Sequence, residues 1–100
     1  MTKYIVSKKA TKDIELIWFY TKEKWSLEQA NRYYNLILDN MEYIAAFPLS
    51  GIDYSHIRKD YRCSKIKSHL IFYKYKKKEN CVEIIRVLHH SLDIERRLKE

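Results

Sequence analysis

Arg86, His89 and His90 lie together in I-I-R-V-L-H-H-S-L-D, residues 84–93, and Arg58, Tyr61, Arg62 and Lys65 lie together a little earlier in the chain. Guanidinium and ammonium groups hold anions, and histidine is the side chain whose charge changes near neutral pH, so such groups could grip a phosphate or carboxylate and move a proton beside it. Arg86 carries the most information. An arginine within V-E-I-I-R-V-L must reach solvent, a carboxylate or a ligand, because an unpaired buried guanidinium is costly. A strand-end salt bridge with Asp93 or Glu83 would meet that need, and a functional site would meet it equally. His89 and His90 are successive residues at the end of a strand and point opposite ways, so one metal ion shared by both is not expected.

These groups need a frame. Tyr61 to Ile66 reads as a strand, Lys67 and Ser68 as a tight turn, His69 to Tyr75 as a second strand, Lys76 to Asn80 as a polar hairpin tip, and Val82 to Leu88 as a third strand with both faces covered. This is a three-stranded antiparallel meander. Upstream, Tyr4, Ile5 and Val6 form a short strand, and Ser7 can cap a helix starting at Lys8. Ala10, Ile14, Ile17, Trp18, Thr21 and Trp25 recur at helical spacing, with Lys12, Asp13, Glu15, Lys22 and Glu23 largely on the other side. Ser26 and Gln29 have the form of a capping box for a second helix, which Phe47 and Pro48 end. The two helices should form a hairpin, with Trp18, Trp25, Tyr33 and Tyr34 as core and interhelix packing. Pro48 to Asp60 is one long loop ending in His56, Arg58 and Lys59, and Leu92 to Leu98 reads as a helical tail packing over one edge. The layout is α+β, β-α-α-β-β-β, with the helices on one face of the sheet.

The 100 residues suit a single domain, residues 1–100, and 46% hydrophobic content argues against disorder. The formal charge of +7 points to nucleic acid, an acidic protein segment or an anionic surface as partner. No window approaches the roughly 18 apolar residues of a membrane helix and no signal peptide is apparent, so a cytoplasmic protein with no membrane partner is expected. Cys63 and Cys81 would sit on the first and third meander strands, apart from each other, and two free thiols follow. Neither cysteine has metal-ligand spacing around it, and no cofactor is indicated.

The order of Y-I-V-S-K-K-A-T-K-D-I, W-S-L-E-Q-A, F-P-L-S-G, R-K-D-Y-R, H-L-I-F-Y-K and I-I-R-V-L-H-H-S-L-D resembles, end to end, the RelE/ParE superfamily of type II toxin–antitoxin toxins. The resemblance implies a growth-inhibiting toxin with one of two targets. RelE-like members cut messenger RNA on the ribosome, which requires a 2′-hydroxyl deprotonated, a pentacovalent phosphate neutralised and a leaving oxygen protonated. Of the basic residues that branch uses, Arg62 matches the first, Ser64 falls at the second, and His69 stands within a residue of the third. In the ribonuclease reading the groups would be Arg62, Arg86, His89 and His90. ParE-like members inhibit DNA gyrase without being nucleases and are neutralised by a ParD-like antitoxin. R-x-x-Y-R from Arg58 to Arg62, H-x-I-F-Y, and R-V-L-H-x-x-x-D from Arg86 to Asp93 are similar to this branch, with Asp60 where glycine commonly precedes the Tyr-Arg pair. The expectation is therefore a ParE-like gyrase inhibitor rather than an enzyme, contacting target or antitoxin through Arg58, Tyr61, Arg62, Lys65, Arg86, His89, His90 and Asp93.

Overall fold

The computed structural model describes residues 2–99. In chain order its elements are β1 (Lys3–Val6), α1 (Lys8–Lys24), α2 (Leu27–Ala46), β2 (Ile52–Asp53), β3 (Tyr61–Ile66), β4 (His69–Lys76), β5 (Cys81–His89) and α3 (Ile94–Leu98). Ser7 ends β1 and caps α1, its Oγ accepting the Ala10 N–H at 3.0 Å. Ser26 does the same for α2, accepting the Gln29 N–H at 3.1 Å. Each hydroxyl satisfies a backbone donor that has no partner within the first helical turn.

The strands form one sheet in the order β1-β5-β4-β3-β2. β3, β4 and β5 are the expected antiparallel meander, and β1 adds to β5 in parallel. Ile66 pairs with His69 across the Lys67–Ser68 turn, where Lys67 takes a positive φ of 43°. The tip at 77–80 is a single 3₁₀ turn, Lys77–Glu79, closed by Asn80 in the left-handed region. β2 was not expected: within the long loop, Ile52 and Asp53 pair with Cys63 and Arg62. Two residues are too few to show a strand's alternation.

The sheet has apolar groups on both faces, each covered differently. On one face Ala10 and Ile14 of α1 and Ile37, Met41 and Ile44 of α2 pack on Ile71, Tyr73, Val82, Ile84 and Val87. On the other, Tyr61, Cys63, Phe72 and Leu88 are covered by Leu98 of α3, with Leu92, Ile94 and the loop residues Tyr54 and Ile57 packed against them. The tail therefore covers a face rather than an edge, because Leu98 brings its apolar side onto Phe72 and Leu88. The 48–60 segment is likewise not only a connection, since it supplies part of that second cover. Cys63 and Cys81 are free and buried, on β3 and β5 with β4 between them, and burial pushes the Cys63 thiol up to about 11.

The expected aromatic packing at the helices forms only in part: Tyr33 packs against the core and Trp18 bonds across to α2, but Trp25 and Tyr34 do not join them. Trp25 is 71% exposed and Tyr34 40% exposed, while Trp18 is half-buried and its indole N–H donates to Asn31 Oδ1 at 3.0 Å. The stripe facing the sheet is carried by Ala10, Ile14, Ile37, Met41 and Ile44, whose compact side chains let the helices lie close to the strands. Trp25 is the C-cap of α1, where the helical period no longer applies.

Tyr73 ties the 48–52 segment to the helix-covered face. Its buried hydroxyl donates to Pro48 O and accepts the Gly51 N–H, both at 2.9 Å. A Cβ on Gly51 would lie 2.4 Å from that hydroxyl oxygen, so only glycine lets the chain approach so closely. Asp60 takes φ 66°, which makes the turn into β3 left-handed. Aspartate tolerates this region better than most residues because its short side chain bonds locally.

Tyr73→Phe should lower unfolding free energy by about 1–3 kcal/mol, because it leaves a buried donor and acceptor unmatched; urea denaturation checks this, and an unchanged midpoint would contradict the tie. At the β3 turn, Asp60→Val should cost at least ~1 kcal/mol while Asp60→Gly is neutral or stabilising. A Val variant as stable as the Gly variant would mean that the turn does not require a positive φ.

Candidate functional site

β1 stops at Val6, opposite Ile84, and β5 runs on to His89. Side chains take over the edge that β1 leaves. Ser7 N–H donates to Ile84 O at 3.0 Å and its hydroxyl to Ile85 O at 2.8 Å. Asp13 follows on α1, accepting the Val87 N–H at 3.0 Å and, from Arg86, Nε at 2.8 Å and Nη2 at 3.1 Å. Arg86 Nη1 also reaches Arg97 O in α3 at 3.4 Å. Both side chains of the ion pair are nearly buried, at 13% and 12% exposure. The expected partners Glu83 and Asp93 are not the ones used. Glu83 pairs with Lys76, and Asp93 caps α3 by accepting the Arg96 N–H at 3.3 Å.

A bulge explains how an arginine fits into this strand. Phe72 lies opposite Arg86 and Tyr73 opposite Ile84, so Ile85 is an extra residue on β5. Before it Val82 and Ile84 face the helices; after it Val87 does. Without the bulge the strict two-residue alternation would turn Arg86 into the helix-covered core beside Ile84.

The histidines form a second group at the end of β5. His69 lies opposite His89, their rings 5.2 Å apart and perpendicular. His90 does not point the opposite way as expected but stacks on His89 at 4.6 Å, because β5 ends at His89 and strand alternation no longer applies. Tyr33 of α2 brings its hydroxyl to 2.6 Å from His69 Nδ1. His89 Nδ1 accepts the Ser91 N–H at 3.1 Å and lies 2.7 Å from Ser91 Oγ. That acceptance requires Nδ1 to be unprotonated, which puts the proton of the neutral ring on Nε2. Burial, with added repulsion from His89 and His90, lowers His69 from its ordinary 6.5 to about 4, and burial raises the Tyr33 phenol. His69 is held neutral at physiological pH. Among the described residues no group of three His, Cys, Asp or Glu side chains could hold a metal ion.

The other expected site residues do not converge on one spot. Arg62 Nη1 donates to Gly51 O at 2.8 Å and more weakly to Leu49 O at 3.4 Å. Ser64 donates to Asn40 Oδ1 of α2 at 2.9 Å. Tyr61 is buried in the second-face core with the Arg58 guanidinium 5.8 Å from its ring centre, whereas Lys65 is exposed on β3 and His90 exposed after β5. The set divides into a loop-end group of Arg58, Tyr61 and Arg62, the Arg86 ion pair, the histidines, and a helix cap.

What the fold does create is a groove of about 490 Å³ between α1 and the far half of β5, bordered on the helix side by Asp13, Leu16, Ile17 and Tyr20 and on the strand side by Arg86, Val87, Leu88 and His89. Leu16 and Tyr20 are 58% and 63% exposed, so the helix wall is apolar and uncovered. Asp13, Tyr33 and Leu16 were not among the expected site residues. Asp13 had one signal: an arginine within an apolar strand demands a carboxylate, and Asp13 adjoins Ile14 on the helix stripe.

Asp13→Ala should cost about 3 kcal/mol, because it strips a nearly buried guanidinium of its counter-charge; a loss below ~1 kcal/mol in thermal or urea unfolding would show that water replaces the carboxylate. His69 makes a pH prediction of defined sign. Its folded pKa lies below its unfolded one, so the unfolded chain binds the extra proton, and the associated stability, full above pH 6.5, falls as pH drops from 6.5 through about 4. His69→Gln should flatten that part of the stability profile, and an unchanged slope would contradict the assignment.

Against known proteins, the chain matches over residues 4–94 the family described as ParE toxin of type II toxin–antitoxin system, parDE. It is 37% identical over 93 residues to Toxin ParE1 of Caulobacter vibrioides, covering 93% of this chain and 94% of the relative. To Toxin ParE1 of Mycobacterium tuberculosis it is 32% identical over 97 residues, covering 97% and 98%. Its fold is similar to that of a chain in the chromosomal ParDE TA system from P. aeruginosa, with a TM-score of 0.75 at 14% identity over 89% of this chain and 95% of that one. It is also similar to that of a metal-bound toxin from Helicobacter pylori, with a TM-score of 0.61 at 24% identity over 91% and 97%. The chain belongs to the ParE toxin family of type II toxin–antitoxin systems.

Proposed function

We propose that this toxin arrests growth by inhibiting DNA gyrase, and that a ParD-like antitoxin neutralises it by laying an acidic, partly disordered segment into the groove between α1 and β5. The observation that carries the choice of target is the state of Arg62, Ser64 and His69, the positions where a RelE-like nuclease would present cations. Arg62 is bound to the Gly51 carbonyl, Ser64 to Asn40, and His69 to Tyr33. Arg86, the remaining strong cation of the nuclease reading, is engaged by Asp13. RNA cleavage needs positive charge and a titrating acid or base aimed at one phosphate. Here the guanidiniums point into protein and His69 is held neutral, an arrangement suited to a protein-binding surface.

The groove supports the antitoxin half of the reading. Leu16 and Tyr20 offer apolar area to a segment that folds as it binds, and the +7 charge of the chain would speed its encounter with an acidic partner. The proposed site of action is the cytoplasm, where gyrase and the antitoxin would meet the toxin.

Purified toxin added to gyrase should inhibit supercoiling and accumulate cleaved DNA, and antitoxin encoded beside it should reverse both effects. Unaffected gyrase at saturating toxin, with cut messenger RNA found by primer extension, would move the target to the ribosome. Leu16→Glu places a charge on the groove's apolar wall. It should weaken neutralisation at least roughly 10-fold, since burying an unpaired charge costs more than 1.4 kcal/mol, while growth arrest persists. Full neutralisation of this variant would put the antitoxin elsewhere.

A further inference from the structure

Where the α1–α2 junction meets the β3–β4 turn, a second hollow of about 480 Å³ opens, bordered by Tyr20, Trp25 and Gln29 from the helices, Lys67 and Ser68 from the turn, and Tyr33, His69 and His89. We infer that this hollow is a binding site for an unpaired nucleotide of a single-stranded nucleic acid, with the base stacked on Trp25 and Tyr20 and the backbone phosphate at Lys67 and Lys24.

Three observations point to that chemistry. The rim is aromatic and open: Trp25 is 71% exposed and Tyr20 63% exposed, although both are large residues that folding would ordinarily cover. Exposed aromatic faces beside cations are what a single strand uses, because every base has a π-face to stack. Among the described residues the hollow has a lysine and no carboxylate on its walls. Lys67 lines it, and Lys24 Nζ lies 5.9 Å from the centre of the Tyr20 ring. Between the aromatic residues and the turn lie polar groups that can meet the edge of a stacked base.

Those groups are the third observation. His89 Nδ1 accepts from Ser91, so its Nε2 carries the N–H. The Tyr33 hydroxyl, 3.3 Å from Ile66 O and 2.6 Å from His69 Nδ1, adds a further polar group to the wall. An N–H donor on His89 suits a base edge rich in acceptors, the N7 and O6 of guanine or the O4 of thymine and uracil, and suits adenine less.

The test is fluorescence anisotropy with 5′-labelled ten-nucleotide single strands of thymine and of adenine, against a duplex of the same length, using the purified toxin. Binding should favour the thymine strand over the adenine strand and over the duplex. Trp25→Ala should weaken thymine-strand binding roughly 10-fold or more, as loss of one stacked base does, and Trp25→Phe should restore most of it. Lys67→Ala should lower the slope of log affinity against log salt by about 0.7, the value for one phosphate of a single strand. Tyr43→Ala, at an exposed aromatic residue (53%) near the opposite end of α2, should change nothing. Equal binding of strand and duplex with no loss in Trp25→Ala would overturn the site and leave only general attraction to a basic protein. Because gyrase is absent, the outcome is independent of the gyrase assay.

Discussion

The Asp13 carboxylate holds the fold and the groove in one geometry. One oxygen accepts both a backbone N–H of β5 and the Arg86 Nε, and the other accepts Nη2. Each bond solves a problem created by the chain's own topology. β1 is too short to cover β5, so Val87 N–H would be left at an uncovered sheet edge, and the bulge at Ile85 turns the Arg86 guanidinium away from the helix-covered core to where Asp13 meets it. Asp13 sits less than two turns beyond Ser7, which starts α1 and bonds the same edge. Ser7 and Asp13 together fix how α1 runs past β5, and hence the width of the groove.

This division of labour runs through the sheet. Charged and polar residues that suggest chemistry when read in order are mostly consumed in holding connections: Arg62 grips the 49–51 carbonyls, Tyr73 holds the same loop from the helix-covered face, and Asp93 caps α3. Lys65 and His90 remain exposed, and α1 and its C-cap also leave large apolar or aromatic residues uncovered, among them Leu16, Tyr20 and Trp25. The guanidiniums of Arg62 and Arg86 are thus engaged within the protein, while Leu16, Tyr20 and Trp25 leave apolar and aromatic area on its surface.

Much of the architecture was legible in the sequence because it rests on local rules. Serine caps at Ser7 and Ser26, the Phe47–Pro48 stop and the run of aromatic and β-branched residues in β4 are short-range signals, and they gave the strand, the helix hairpin and the meander. Three kinds of feature were not legible. β2 is too short to carry a period. Exposure of Trp25 and Tyr34 depends on which side of each helix meets the sheet, and both aromatic and aliphatic residues keep helical spacing there. The Asp13–Arg86 pair joins residues 73 apart in sequence, so nearby Glu83 and Asp93 were the natural expectation, and the bulge that settles Arg86's direction leaves no mark in V-E-I-I-R-V-L. Of the candidate site, the histidine ends of the strands could be located from sequence, but not that His69 is neutralised by burial under Tyr33.

The claim on which this account stands is that Arg86 and Asp13 are framework for the groove and not groups that act on a substrate. The most direct measurement is growth arrest by the double variant Asp13→Asn with Arg86→Gln, made alongside its thermal unfolding. Amides in both places keep an acceptor for Val87 N–H and a neutral pair in the space of the ion pair. The account predicts a folded protein that still arrests growth and is still neutralised. A double variant that unfolds as cooperatively as the parent yet has lost toxicity would contradict it and return Arg86 to the functional site.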